Sequence, residues 1–178
     1  MRAIRENVKN ENLMKHMLAT EAIMGALARR FNENEGEWRL AGLLHDIDVE
    51  TTQGDMTLHS KEGAELAQQL GANEAVCHAI LVHNERHGIP CESLMDKALF
   101  CSDPLTGLIT AGALIRPDKK LASVEIKSIR KRFKEERFAA GVSREQIATC
   151  INIGLELNAF IEIGLEAMKG IAEDLGLA

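Results

Sequence analysis

With 178 residues the chain has room for one core of ordinary domain size and not for several. A formal net charge of −6 argues against nucleic-acid binding spread over the whole surface. Aromatics at 3% and the lack of Tyr argue against an aromatic sandwich around a nucleobase. They leave an aliphatic slot open as one way to hold such a base, and a core of Leu, Ile, Ala and Met.

Helical periods run through nearly the whole chain, and no segment alternates like a strand. Asn10 caps a first long helix with Leu13, His16, Met17, Thr20, Met24 and Leu27 on one side, ending near Phe31. Asn34, followed by Glu35 and Glu37, opens a second through Trp38, Ala41, Leu44 and His45. A third is expected from about Leu58 to Leu70, stopped by Gly71, and Asn73 caps a fourth carrying Val76, Ile80 and His83 on one face. Two separate helical segments follow, from Ser93 to Ser102 and from Pro104 to about Leu114.

After Pro117 the character changes. Lys119, Lys120, Lys127, Arg130, Lys131, Arg132, Lys134 and Arg137 crowd one stretch, where Ile126, Ile129 and Phe133 mark a basic amphipathic helix ended by Gly141. Most such charge runs are solvated faces; contact with a phosphate or polyanion is the other reading. Ser143 and Gln146 form a capping box for another helix, and a last one is expected from about Leu157 to Leu175. The pattern specifies an all-α protein, with one domain over residues 1–116 and a helical C-terminal extension over 117–178 packed on it. Gly107, Gly112, Gly154, Gly164 and Gly170 allow close helix approach, within the fold or between copies in a homo-oligomer.

Cys77, Cys91, Cys101 and Cys150 include no CxxC pair, and the N-terminus lacks the apolar run of a secretion signal. No stretch approaches the roughly 18 apolar residues of a membrane span. The expectation is a cytoplasmic protein with reduced thiols and no membrane association.

The residues that carry chemistry are His16, His45, Asp46, His59, His83 and Asp103. Imidazole nitrogen with carboxylate oxygen suits divalent Fe, Mn, Co, Ni or Zn, with Mg also possible, better than calcium. His16, His45 and His83 fall on inward helix faces, where an unpaired polar group is costly and a metal supplies compensation. Taken singly, each could be a core histidine bonded to a carbonyl, and Asp103 could cap a helix started by Pro104. His59 is expected in the first turn of its helix. His78, about 140° around its helix from His83, is expected to face away.

The His45-Asp46 doublet, preceded by Leu43-Leu44 and followed by Ile47, resembles the HDIG-type sequences of the HD-domain superfamily of metal-dependent phosphohydrolases. The likeness covers roughly residues 10–116 and implies a compact helical bundle. It makes His16, His45, Asp46 and Asp103 the basic ligand set. It makes His59 and His83 the extra histidines of binuclear branches, in which the doublet's Asp bridges two metals. Asp48 stands where the motif has Gly, and Val49 where some branches carry Lys; the lack of Tyr rules out a strict Gly-Tyr-Pro branch.

The resemblance implies hydrolysis of a phosphoester or phosphoanhydride with one or two metal ions, on a small phosphorylated substrate of nucleotide type. Asp46 would bridge and orient, and Lys61 or His87 would protonate the leaving group. Lys61, Arg86 and the basic helix are candidates for substrate charge. Two other functions could use the same scaffold: a di-iron oxygen-activating oxidoreductase, and a non-catalytic sensor or binding module.

Overall fold

The structure is a computed structural model that describes residues 2–178; Met1, where the first domain is expected to begin, lies outside the described residues. It is helical throughout and holds no strand among the described residues. The helices are α1 (Arg2–Asn7), α2 (Glu11–Phe31), α3 (Glu35–Leu44), α4 (Lys61–Gln69), α5 (Glu74–Val82), α6 (Leu94–Leu114), α7 (Ile126–Phe133), α8 (Arg144–Ala148), α9 (Leu157–Lys169) and α10 (Ala172–Leu175). No single helix among them is long and apolar enough to cross a membrane. All four cysteines are free.

Local signals start the helices. The side chains of Asn10, Asn34, Asn73, Ser93 and Ser143 each accept from a backbone N–H in the first turn of the helix that follows. Each thereby satisfies a donor that the helix cannot pair internally, worth about 1 kcal/mol. Ser93 and Asp96 form a reciprocal capping box, whereas Ser143 accepts from Gln146 N without the return bond being present.

α2 and α6, each 21 residues long, form the centre of the bundle. Against α2 lies α3, and the approach is backbone to backbone. A Cβ on Gly42 would come 2.8 Å from the Thr20 carbonyl oxygen and 2.9 Å from Glu21 Cα. Only glycine permits that approach, which carries the end of α3 to the middle of α2. α9 closes on the same pair, with Gly164 against Leu105, Ile109 and Ile23, while Ile129 of α7 fills the notch over Gly112. These small residues therefore serve contacts inside the fold.

Several expected boundaries moved. Residues 94–114 form one helix that runs through Pro104. An internal proline costs about 3 kcal/mol, but Leu99, Cys101, Leu105, Leu108 and Ile109 bury on either side of it, and that packing holds the helix continuous. The third helix starts at Lys61 rather than Leu58, because Ser60 sits at φ +69° and its N–H, with that of Gly63, donates to the Asp48 carboxylate. A residue twelve positions earlier thus caps α4. His59 accordingly lies before α4, at the end of a run of turns over 45–60.

The basic helix stops at Phe133, well before Gly141. The Arg144 guanidinium collects carbonyls of Phe138, Ala139 and Val142, which turn toward it instead of pairing along a helix. The expected last helix is two, broken at Gly170 and Ile171. α1 carries no cap signal in the sequence; Ile4 and Val8 bury, and Glu50 accepts from Lys9 N and Asn10 N at the junction with α2.

Candidate metal centre

Six side chains from five parts of the chain meet in the core: His16 from α2, His45 and Asp46 where α3 ends, His59 from the turns before α4, His83 where α5 ends, and Asp103 from α6. His45 and His83 arrive by the same local device. Each is the C-cap residue of its helix, where carbonyls of the last turn lack a helical partner. His45 Nδ1 lies 2.8 Å from the Gly42 carbonyl and His83 Nδ1 2.5 Å from that of Ile80. Both rings donate through Nδ1 and turn Nε2 to the interior.

The other two imidazoles are oriented by side chains. His59 Nδ1 donates to Asp48 Oδ1 at 2.8 Å. His16 Nδ1 lies 2.8 Å from Thr106 Oγ1, whose own proton goes to the Asp103 carbonyl, also at 2.8 Å. The threonine hydroxyl therefore accepts from His16. With a cation in place, all four rings would keep a proton on Nδ1 and present an Nε2 lone pair to one small space, a tautomer favoured by the outer partners.

The two oxygens of Asp46 divide that space. Oδ2 stands 3.3 Å from His16 Nε2 and 3.4 Å from His45 Nε2. Oδ1 stands 3.4 Å from His59 Nε2 and 3.6 Å from His83 Nε2. Asp103 Oδ1 adds to the first group, 3.0 Å from His16 Nε2 and 3.7 Å from His45 Nε2. His16 Nε2 and His45 Nε2 are themselves only 3.0 Å apart. Two lone pairs at that separation repel unless a cation or a proton lies between them.

The titration behaviour expresses the same need for positive charge. Burial opposes a charge on His16, but Asp103 and Asp46 outweigh it and raise its pKa to about 9. Burial also opposes a charge on His45, which the same two carboxylates hold well above the usual imidazole range. Asp46 lies well below the usual carboxylate range, because His45 and its neighbours overcome the effect of burial. Within this set, triads of donor atoms fall within 4.8 Å of one another: His16, His45 and Asp46; His45, His83 and Asp103; Asp46, His59 and His83. A divalent cation fits this donor chemistry, as four neutral imidazole nitrogens and two carboxylates match the preferences of transition metals.

The remaining site residues named from the sequence are not among these donor triads. Lys61 is exposed at the first position of α4, and Arg86 is exposed in the 3-10 turn 85–87. His87 Nε2 lies 2.8 Å from the His59 carbonyl. Asn84 Nδ2 donates to that carbonyl and to that of Met56, so His87 and Asn84 together hold the backbone of His59 from behind. His78 pairs with Asp96 at 3.0 Å, away from the cluster.

Asp48 was legible only as a departure from a motif. It is 1% exposed and accepts three bonds: from His59 Nδ1, Ser60 N and Gly63 N. A Cβ on Gly63 would meet its carboxylate at 3.1 Å, so the small residue there admits it. An acidic residue two places after Asp46, where the motif has Gly, was the available signal. Thr106 gave no signal of its own, since a helix-interior threonine is ordinary.

A family model described as HD domain matches residues 13–138. Among curated proteins, the chain is 28% identical over 155 residues to Ribonuclease Y of Syntrophobacter fumaroxidans, covering 86% of this chain. It is 30% identical over 152 residues to Ribonuclease Y of Sulfurovum sp. and 28% identical over 152 residues to that of Thermotoga maritima, covering 85% of this chain in each case. The match spans 28% of the length of each of these relatives. No solved structure matches.

Proposed function

The chain belongs to the HD domain family, and we propose that it is a metal-dependent phosphohydrolase acting on a phosphoester or phosphoanhydride of a nucleotide-type substrate. The observation that carries this reading is the division of Asp46. One oxygen serves His16 and His45, the other His59 and His83. That arrangement supports two ion positions: one from His16, His45, Asp46 and Asp103, the other from Asp46, His59 and His83. Fe, Mn, Co, Ni or Zn would suit these donors, and the oxygen ligands also admit Mg.

A divalent ion held there would supply a water of near-neutral pKa and charge neutralisation at the phosphoryl oxygens. The chain's own residues do the rest. Asp46 fixes the spacing of the two positions. The outer partners of the four imidazoles hold them in place in advance, so little reorganisation is needed as charge develops. His16 and Asp103, at 26% and 28% side-chain exposure, form the accessible edge where substrate meets the centre. Lys61 is the candidate proton donor to the leaving group. His87, with Nε2 on the His59 carbonyl, acts by holding that ligand's backbone. The names of the relatives speak for RNA as their substrate. For this chain, we extend only the hydrolysis of a phosphate linkage.

The test is to strip the protein of metal, reload it separately with Mn²⁺, Fe²⁺, Co²⁺, Ni²⁺ and Mg²⁺, and assay phosphate-ester cleavage across nucleotides, dinucleotides and bis(p-nitrophenyl) phosphate beside Asp46→Ala. Metal-dependent turnover that disappears in the variant is the expected result. Stoichiometric metal uptake with no turnover on any substrate would replace this reading with a non-catalytic module or an oxygen-activating centre.

A further inference from the structure

Beside the metal centre a cavity of about 440 Å³ opens between α2, α6 and the C-terminal tail, and it shares His16 and Thr106 with the centre. Its size falls in the range of small-ligand sites, about 300–1,000 Å³. The lining is of two kinds. Leu114, Leu175 and Leu177 are aliphatic, and Leu114 is 50% exposed despite its place in the bundle. Asn12 and Lys15, one turn apart on α2, are polar, as is Thr110.

Lys15 is the telling residue. It is half-buried, yet no ion pair to it occurs among the described residues, while Arg5, Arg39, Arg132 and Lys169 each have a carboxylate partner. Its ammonium lies against the tail: a Cβ on Gly176 would come 2.9 Å from Nζ, and Gly176 is at φ +69°, a conformation that glycine adopts freely. The tail is held in this position by Leu121 N, which donates to the Leu177 carbonyl at 2.9 Å. An anion placed in the cavity beside this ammonium would form a charge-assisted contact with it.

We propose that this cavity is the subsite for the nucleoside part of the substrate. In it, Lys15 Nζ binds a phosphate adjacent to the one that reacts, and the base lies against Leu114, Leu175 and Leu177. Placing the reacting phosphate at Asp46 rests on the function proposed above. The sequence of sites is then linear. The reacting phosphate lies at the His16–Asp103 edge, the neighbouring phosphate at Lys15, and the base in the aliphatic slot. The tail residues 175–177 thereby determine specificity from the far end of the chain.

The probes are the four common ribonucleoside diphosphates, with adenosine and inorganic pyrophosphate as partial ligands, titrated calorimetrically into the full chain in EDTA so that metal affinity does not enter. At least one diphosphate should bind more tightly than both partial ligands. Lys15→Met should weaken it about tenfold, the size of one charge-assisted contact, and Lys15→Arg should restore most of the loss. Thr110→Phe, which fills the slot, should weaken the diphosphate and adenosine while sparing pyrophosphate. Equal binding in wild type and Lys15→Met, or no binding of any diphosphate at millimolar concentration, would overturn the proposal. Hydrolysis of bis(p-nitrophenyl) phosphate by reloaded wild type reports separately on the metal centre, so either reading can fail without the other.

Discussion

At the deep end of the candidate metal centre the side chains of His59 and His83 are 7% and 3% exposed, whereas at the open end those of His16 and Asp103 are 26% and 28% exposed. Both ends use the same device, an Nδ1 proton given to a fixed acceptor so that Nε2 faces the cluster. The acceptors differ in kind. The deep end uses the Asp48 carboxylate, which also caps α4, and the Ile80 carbonyl. The open end uses the Thr106 hydroxyl for His16 and, for His45, whose side chain is fully buried behind it, the Gly42 carbonyl. The deep end is thus tied into the fold through a charged group with three bonds, and the open end through a neutral one beside a cavity. Ligand loss should therefore cost stability at the first and mainly binding at the second.

The largest effect would erase the difference altogether. Asp46→Ala removes the carboxylate whose two oxygens serve both ends, and both ions should be lost together, with turnover falling by more than about 1,000-fold. Metal content by elemental analysis, set beside phosphate release, checks this; retention of one ion would show that the ends do not depend on a common carboxylate. Next in size, His59→Ala and His16→Ala should each remove one ion and leave the other. If His59→Ala emptied both positions, the division of Asp46 between two sites would be wrong.

Asp48→Ala tests the deep end's link to the fold. It strands the N–H groups of Ser60 and Gly63 and should cost about 1–3 kcal/mol in the metal-free protein, read as a fall in denaturation midpoint in EDTA. It should also weaken the deep ion roughly 10- to 100-fold, as loss of an outer partner does. Thr106→Val is the smallest change. It should lower stability by about 1 kcal/mol or less and weaken the open-end ion about tenfold. A stability loss as large as that of Asp48→Ala would remove the contrast between the ends.

The glycine pairs are a further check on how the two ends are brought together. Gly42→Ala would push a methyl to 2.8 Å from the Thr20 carbonyl, spreading α2 from α3 and His16 from His45. A loss of several kcal/mol is expected, with the open-end ion weakened more than the deep one in competition with a fluorescent chelator.

Much of this was already written in the local order of residues. Asn10, Asn34, Asn73, Ser93 and Ser143 announce helix starts because capping needs only a side chain and the next few N–H groups. The helical period turned His16, His45 and His83 inward for the same local reason, and the His45-Asp46 doublet pointed to the family. Other features had no local sign. Asp48 caps a helix beginning at Lys61 and orients His59, and nothing in a window of a few residues shows that. Pro104 reads as a break, and only the burial around it keeps α6 whole. Lys15 gives no sign of its own beside the more conspicuous Lys61, Arg86 and the basic stretch, because the lack of a counterion becomes visible only when the surroundings of the side chain are known.

The sequence by itself thus determined the all-α class, most helix starts and buried faces, the family and the kinds of donor atom available, since all of these follow from residue type and short-range spacing. The tertiary structure alone decided which Nε2 faces which oxygen of Asp46, how deeply each end is buried, and that the tail comes to lie beside Lys15. Those depend on contacts between residues up to 161 positions apart, as with Lys15 and Gly176, which form only when the whole core closes.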